Sequence, residues 1–148
     1  EIIPGLGRTG DSVALFPVTA QNLDARKFAD SPRLDYAVRF IHAGEFPLTV
    51  NLLPTHPISG RSLRCAIGID NRPPQLVVAE VRDGSAGWAQ GVLNATITAT
   101  IRIQVPSPGA HTLRLYGVDA GVVVDRLVLD CGGLKASYLG PAETAAAE

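Results

Sequence analysis

The sequence predicts an all-β fold, a two-sheet antiparallel β-sandwich and most simply a jelly roll, with about eight strands. Three observations carry this. Ile97, Ala99, Ile101, Ile103 and Val105 alternate with Thr96, Thr98, Thr100, Arg102 and Gln104, and the runs 34–41, 63–69 and 111–118 alternate in the same way. Period two marks a strand with one buried and one wet face. The 15 glycines and 11 prolines suit short strands and turns better than helices. No stretch reads as a long helix. A closed up-and-down barrel is the competing architecture, and the irregular connections 17–33 and 54–62 argue against it.

Taken in order, the Gly-rich opening Pro4–Asp11 is a turn into a first strand, Ser12–Phe16, which Pro17 stops. Its string GLGRTG is superficially like a phosphate loop, but no strand precedes it and no amphipathic helix follows, and a dinucleotide site needs both. Gln21–Pro32 is irregular, with one helical turn around Asp24 to Phe28. Leu34–Ile41 should face the core through Leu34, Tyr36, Val38 and Phe40, with Asp35 and Arg39 outward. His42–Glu45 reads as a hairpin connection to a return strand, Phe46–Leu53. After a loop, Leu63–Ile69 and Gln75–Val81 are strands separated by Asp70-Asn71-Arg72-Pro73-Pro74. Arg82–Gly87 is a flexible link to Trp88. The strands 96–105 and 111–118, joined at Pro106–Ala110, should pair with each other. Val122–Leu129 is apolar on both parities except at Asp125 and Arg126, which predicts a central strand covered on both faces.

The 148 residues make one domain with a real core, residues 1–148, whose end at 142–148 reads as a frayed tail. The first residues look like a cut inside a longer protein or after a removed leader. A net charge of −1, with no basic stripe, points away from nucleic acid and anionic membrane, and no apolar run reaches the length of a membrane span. Cys65 and Cys131 share parity with apolar neighbours and read as two buried thiols, with a disulfide in an exported protein as the alternative. No Cys/His spacing fits a metal site. His42, His56 and His111 sit in turns or at a strand start, and no serine lies in a nucleophile elbow, so no catalytic residue is assigned. Asp70, Asp83 and Asp119 have the ordinary work of turn residues. Asp125 and Asp130 are better read as structural polar contacts than as calcium ligands, since no oxygen-ligand loop is visible; no cofactor is expected. Trp88 follows a Gly/Ser link and could stack on a sugar ring or plug one end of the core.

The closing pattern of Trp88, Gly109-Ala110-His111-Thr112-Leu113, Val118-Asp119-Ala120-Gly121 and Ser137-Tyr138-Leu139-Gly140-Pro141 resembles the C-terminal domain of glycoside hydrolase family 115, the xylan α-glucuronidases. The opening GLGRTG, Leu34-Asp35-Tyr36 and Ile69-Asp70 followed by Arg72-Pro73-Pro74 resemble it too, so the likeness runs from about residue 4 to residue 144. Ala120 departs from the family's usual proline, and Ala142-Glu143-Thr144 from its Pro-Glu-Ser ending. The resemblance implies a carbohydrate-binding-module-like appendage whose catalytic barrel lies elsewhere in the parent enzyme. It thus implies a domain that is non-enzymatic by itself. The expected partners are a polysaccharide, xylan or a related β-glycan, and the parent catalytic domain, with a homodimer left open. The expected location is secreted or periplasmic. The alternative is an interaction module that packs on its catalytic domain or on a second subunit and binds no sugar.

If strands 96–105 and 111–118 pair, Thr100, Arg102, Arg114 and Tyr116 gather on one outward face. Arginines placed opposite one another repel and are easier to explain if a glucuronate carboxylate meets their guanidinium forks, with Tyr116 stacking on a pyranose. These four residues and Trp88 are the expected carbohydrate-binding set.

Overall fold

The computed structural model describes residues 1–23, 27, 30–58, 60, 62–82 and 84–144; the helical turn expected around Asp24 to Phe28, the turn role of Asp83 and the tail from residue 145 lie outside them. Nine strands form: β1 (Ile2–Ile3), β2 (Ser12–Ala14), β3 (Arg33–Phe40), β4 (Gly44–Leu52), β5 (Ser62–Ile69), β6 (Gln75–Glu80), β7 (Ile97–Val105), β8 (Gly109–Gly117) and β9 (Val123–Leu129). One helix, α1 (Ala86–Leu93), lies between β6 and β7. The strands build a five-stranded sheet in the order β1-β2-β9-β4-β7 and a four-stranded sheet in the order β3-β8-β5-β6. Every pairing is antiparallel. Chain-adjacent strands from β2 to β9 alternate sheets except at β5–β6, the winding of a jelly roll.

Parity places the core as expected. Leu48, Val50 and Leu52 of β4, Cys65 and Ile67 of β5, Ala99 and Ile103 of β7, and Leu113 and Leu115 of β8 meet between the sheets. Leu34, Val38, Ile101, Leu127 and Leu129 pack against them from partly covered positions. Tyr36 has the same parity but remains 39% exposed, because β3 is an edge strand. β9 is central, between β2 and β4.

Two expected connections are different in kind. β3 and β4 do not form a hairpin, and β7 does not pair with β8: in each case the two strands lie in opposite sheets. The links 41–43 and 106–108 are long enough to arch over a gap of about 10 Å between packed sheets. A short turn signal therefore marks a reversal of the chain without saying whether the strand returns beside its predecessor or across from it.

The cysteines also divide. Both are free; Cys65 is buried and Cys131 exposed, because it lies past the end of β9. Burial and the Asp119 carboxylate push the Cys65 thiol up to about 12, so it is an unreactive core group.

The motifs that carried the resemblance converge as fold-holding contacts. Gly7 N–H donates to the Gly10 carbonyl (2.8 Å), closing the GLGRTG turn, and Arg8 N–H donates to Asp125 Oδ1 at 3.0 Å. A Cβ at Gly7 would collide with that carboxylate. The Arg8 guanidinium lies 4.2 Å over the Tyr138 ring. Arg126 donates to the carbonyls of Leu139 and Pro141 and to the Thr9 hydroxyl. Opening loop and closing tail are thus clasped to β9 through Asp125 and Arg126, the two polar residues of an otherwise apolar strand.

Candidate functional site

The expected carbohydrate-binding set does not assemble. Thr100 and Arg102 project from β7 on the outer face of one sheet; Arg114 and Tyr116 project from β8 on the outer face of the other. The pairing that should have joined them is absent, for the reason given above. Each also has other partners. Thr100 Oγ1 lies 2.9 Å from Thr49 Oγ1, and Arg102 donates to Glu45 Oε1 at 3.1 Å. Arg114 donates to the Asp70 carbonyl and to Asn71 Oδ1 (3.0 Å) and lies 3.5 Å from Asp35. Tyr116 is 6% exposed, clusters with Ala66 and Val118, and covers Gly68, where a Cβ would sit 3.3 Å from its ring. A ring so covered cannot stack on a sugar.

Around Arg114 the polar groups are locked together. Asp70, held at φ +53°, accepts from Thr112 N–H at 2.9 Å through Oδ1. Its Oδ2 lies 2.7 Å from His111 Nδ1, while His111 Nε2 lies 2.8 Å from the Ser107 carbonyl. Carboxylate and carbonyl oxygens can only accept, so both ring nitrogens donate and the ring is an imidazolium. Those hydrogen bonds raise the pKa of His111, and the Thr112 amide and His111 lower that of Asp70. Asp119 is likewise more than a turn residue: buried at 4% exposure, its carboxylate takes the Arg64 guanidinium at 2.7–3.1 Å.

Trp88 has different surroundings. The link 82–87 is not merely flexible: Ser85 caps a helix, its Oγ accepting from Trp88 N–H at 3.1 Å. Gly87 and Gly91 hide that helix from propensity, yet Gly91 is what seats it, since a Cβ there would come within 2.9 Å of Ile97. Trp88 packs its half-buried ring on the core and meets His56, ring centroids 4.9 Å apart at 32°. The loop carrying His56 is held to the start of β9: Leu53 N–H donates to Val123 (3.0 Å) and the Thr55 hydroxyl to the Gly121 carbonyl (3.1 Å). Gly121, at φ +76°, leaves room for Ile58, whose Cδ1 would be 2.6 Å from a Cβ. The outcome is an exposed imidazole tilted against an indole, on elements that also carry exposed Ile58, Val92 and Leu93. The indole Nε1–H is buried with no protein acceptor.

Sequence reasoning singled out Trp88 and missed His56 as its partner. The only available signal was His56 before Pro57, which fixes an extended backbone but names no neighbour. Among the described residues no three His, Cys, Asp or Glu side chains gather as metal ligands, and no helix is long and apolar enough to cross a membrane. Asp125 holds the Arg8 amide and Asp130 Oδ1 accepts from Gly132 N–H at 2.8 Å.

Comparison with known proteins agrees with the sandwich. A similar solved structure is a family GH115 4-O-methyl-α-glucuronidase described as having specificity for decorated arabinogalactans: TM-score 0.69, 22% identity, covering 87% of this chain and 16% of that one. The present chain thus corresponds to a small part of that enzyme's length. Xyl-CBM35, a family 35 carbohydrate-binding module in complex with a glucuronic acid-containing disaccharide, is similar at TM-score 0.51 and 15% identity, over 72% of this chain and 71% of that one. An exo-β-1,3-galactanase from Phanerochaete chrysosporium is similar at TM-score 0.55 and 10% identity, over 87% of this chain and 25% of that one. No curated protein matches the sequence. The model of the glycosyl hydrolase family 115 C-terminal domain matches residues 1–143, and the chain belongs to that family.

Proposed function

We propose that this chain is a non-catalytic carbohydrate-binding accessory domain of an exported polysaccharide-degrading enzyme, and that it takes xylan or glucuronoxylan at the loop end built on Trp88 and His56. The observation that carries the reading is the aromatic pair. An imidazole tilted against an indole gives a pyranose aromatic surface to lie on, and the pair stands on the sandwich through the Ser85 cap and the Thr55–Gly121 bond. Elsewhere the polar side chains first suspected are engaged with the protein itself. The reading needs no cofactor and assigns no catalytic residue; cleavage belongs to the parent enzyme's catalytic domain.

The test is an affinity-gel panel of xylan, glucuronoxylan, arabinoxylan, mixed-linkage β-glucan and arabinogalactan, run with the wild-type chain and with Trp88→Ala. Retardation by glucuronoxylan, lost in a folded Trp88→Ala variant, supports the reading. Retardation by arabinogalactan alone keeps the glycan function and overturns the xylan assignment. Release of glucuronic acid from glucuronoxylan by the purified chain would overturn the non-catalytic assignment. Silence across the panel would favour a second reading, in which the domain packs on its catalytic domain; exposed Leu93 (77%) and Val92 beside the aromatic pair support it.

A further inference from the structure

The two stretches that supply the aromatic pair carry no charge. From Phe46 to Gly60 and from Gly84 to Ile101 the sequence has no Asp, Glu, Lys or Arg. Together they hold 33 residues, and at the chain's 18% charged content about six charges belong there. Burial does not explain the deficit, since His56, Ile58, Ala89, Val92 and Leu93 lie at the surface, where charged side chains are normally common. The fold gathers the two stretches at one end. β4 pairs with β7, and their last rung is Leu52↔Ile97. Beyond that rung the chain runs from β4 toward His56 and arrives at β7 from α1. The charges nearest along these strands sit at the other end. Glu45 is seven residues from Leu52 and Arg102 five from Ile97, about 23 Å and 17 Å at about 3.3 Å per residue, and the two bond each other at 3.1 Å. Arg61 and Asp83 lie outside the described residues. Exposed Arg82, whose carbonyl accepts from Ser85 N–H at 3.0 Å, is the described cation nearest to α1 in sequence.

We propose that the Trp88–His56 site takes the bare, uncharged stretches of a β-glycan main chain and makes no use of a uronic acid side group. The inference rests on the glycan reading above and narrows it. A neutral pyranose lays its C–H face on the aromatic pair and keeps its hydroxyls in water or against uncharged polar groups. A glucuronate in the same place loses hydration of its carboxylate and meets no guanidinium or ammonium on either stretch, and a carboxylate moved from water without a partner is penalised. The charge-assisted fork that would repay that loss is committed elsewhere in the domain. Arg114 holds Asp70 and Asn71, Arg102 holds Glu45, and Arg64 holds Asp119. A decorated chain is therefore held by the sugars between its decorations, and each acidic group stays in solvent, free for the parent enzyme's catalytic domain.

The test is calorimetry of the chain at pH 8 against two probes of equal length, xylohexaose and xylohexaose bearing one 4-O-methylglucuronic acid. Each titration is run in low salt and in about 0.5 M sodium chloride, where charge attraction is screened within a few ångströms. The neutral probe should bind at least as tightly as the acidic one, and salt should change either affinity by less than about twofold. Arg82→Ala should bind both probes as the wild type does, and folded Trp88→Ala should lose both. An acidic probe held more than about threefold more tightly, with the advantage lost in high salt or in Arg82→Ala, overturns the inference. In that case the glycan reading stands and only its ligand class changes. Binding of neither probe overturns the inference together with the xylan assignment.

Discussion

Two histidines, each lying against an aromatic ring, occupy opposite ends of the sandwich. His111 lies 5.7 Å from Phe40 and is fixed at both nitrogens by Asp70 and Ser107, with its side chain 7% exposed. His56 lies 4.9 Å from Trp88 and is exposed, and among the described residues neither of its nitrogens has a partner. The first ring is consumed by the fold: it joins the β5–β6 and β7–β8 connections. The second offers a face and two polar atoms to solvent. A buried, satisfied polar network makes a position rigid and specific; an exposed ring against a half-buried indole still has surface that a ligand can cover. The difference is the reason the proposed glycan site is put at the Trp88 end.

The strongest way to break the comparison is to remove what both ends stand on. Leu115 is 5% exposed in the shared core, and Leu115→Ala should cost about 2–5 kcal/mol, read by chemical denaturation. Glycan affinity measured well below the melting temperature should hold. Ile101, only partly covered, should cost less on truncation, since the removed atoms were never fully out of water. Equal losses at the two positions would mean the sheets pack differently.

Alternation made the strands and their buried faces legible, because period two is written in every residue of 34–40, 63–69 and 97–105. Partnership was not legible. Parity puts Arg102 and Arg114 outward whichever strand each one pairs with, and the three-residue links 41–43 and 106–108 look alike as hairpins or as arches. The same blindness hid the aromatic pair: His56 and Trp88 are 32 positions apart in sequence, and only the meeting of the segment after β4 with α1 brings them together. α1 was hidden by two glycines, although its Ser85 cap was in plain view. The motifs that announced the family were legible for a different reason. GLGRTG and SYLGP are clasps with fixed backbone geometry, and such geometry restricts residue choice more tightly than a binding surface does.

His56→Ala should sharpen the contrast next. Losing one ring of the aromatic pair is worth about 0.5–1.5 kcal/mol, so affinity for the glycan identified by gel retardation should fall about two- to tenfold in calorimetry, with thermal stability nearly unchanged. His111→Ala should do the reverse, lowering the melting temperature and leaving affinity alone. A shared phenotype for the two variants would erase the distinction between the ends.

Titration tests the His111 end without touching the glycan. His111 has a folded pKa above its ordinary 6.5, raised chiefly by the Asp70 hydrogen bond. Its contribution is therefore full below about pH 6.5 and fades as pH rises through the elevated folded value. Asp70 is lowered from 3.8, chiefly by the Thr112 amide, so its share is full above about pH 3.8 and is lost as acid passes the depressed value. The melting-temperature difference between wild type and His111→Ala should be widest between those limits and shrink toward alkaline pH. A difference that grows above neutrality would mean the ring is held neutral.

The smallest expected effect concerns the arginine that parity first brought forward. Arg102 and Glu45 are 3.1 Å apart, with side chains 66% and 54% exposed. An ion pair so wet contributes about 0–1 kcal/mol and weakens with salt. Arg102→Ala should accordingly shift stability by no more than that and leave glycan affinity unchanged, because the outer face of β7 is on a different surface from Trp88. Arg114→Ala is the informative companion. Its guanidinium ties Asp70 and Asn71 and lies beside Asp35, so truncation should loosen the His111 end and narrow its pH-dependent advantage, again without changing affinity. If Arg102→Ala instead weakened glycan binding several-fold in a folded protein, the sheet face would return as the binding surface and the loop end would lose its claim.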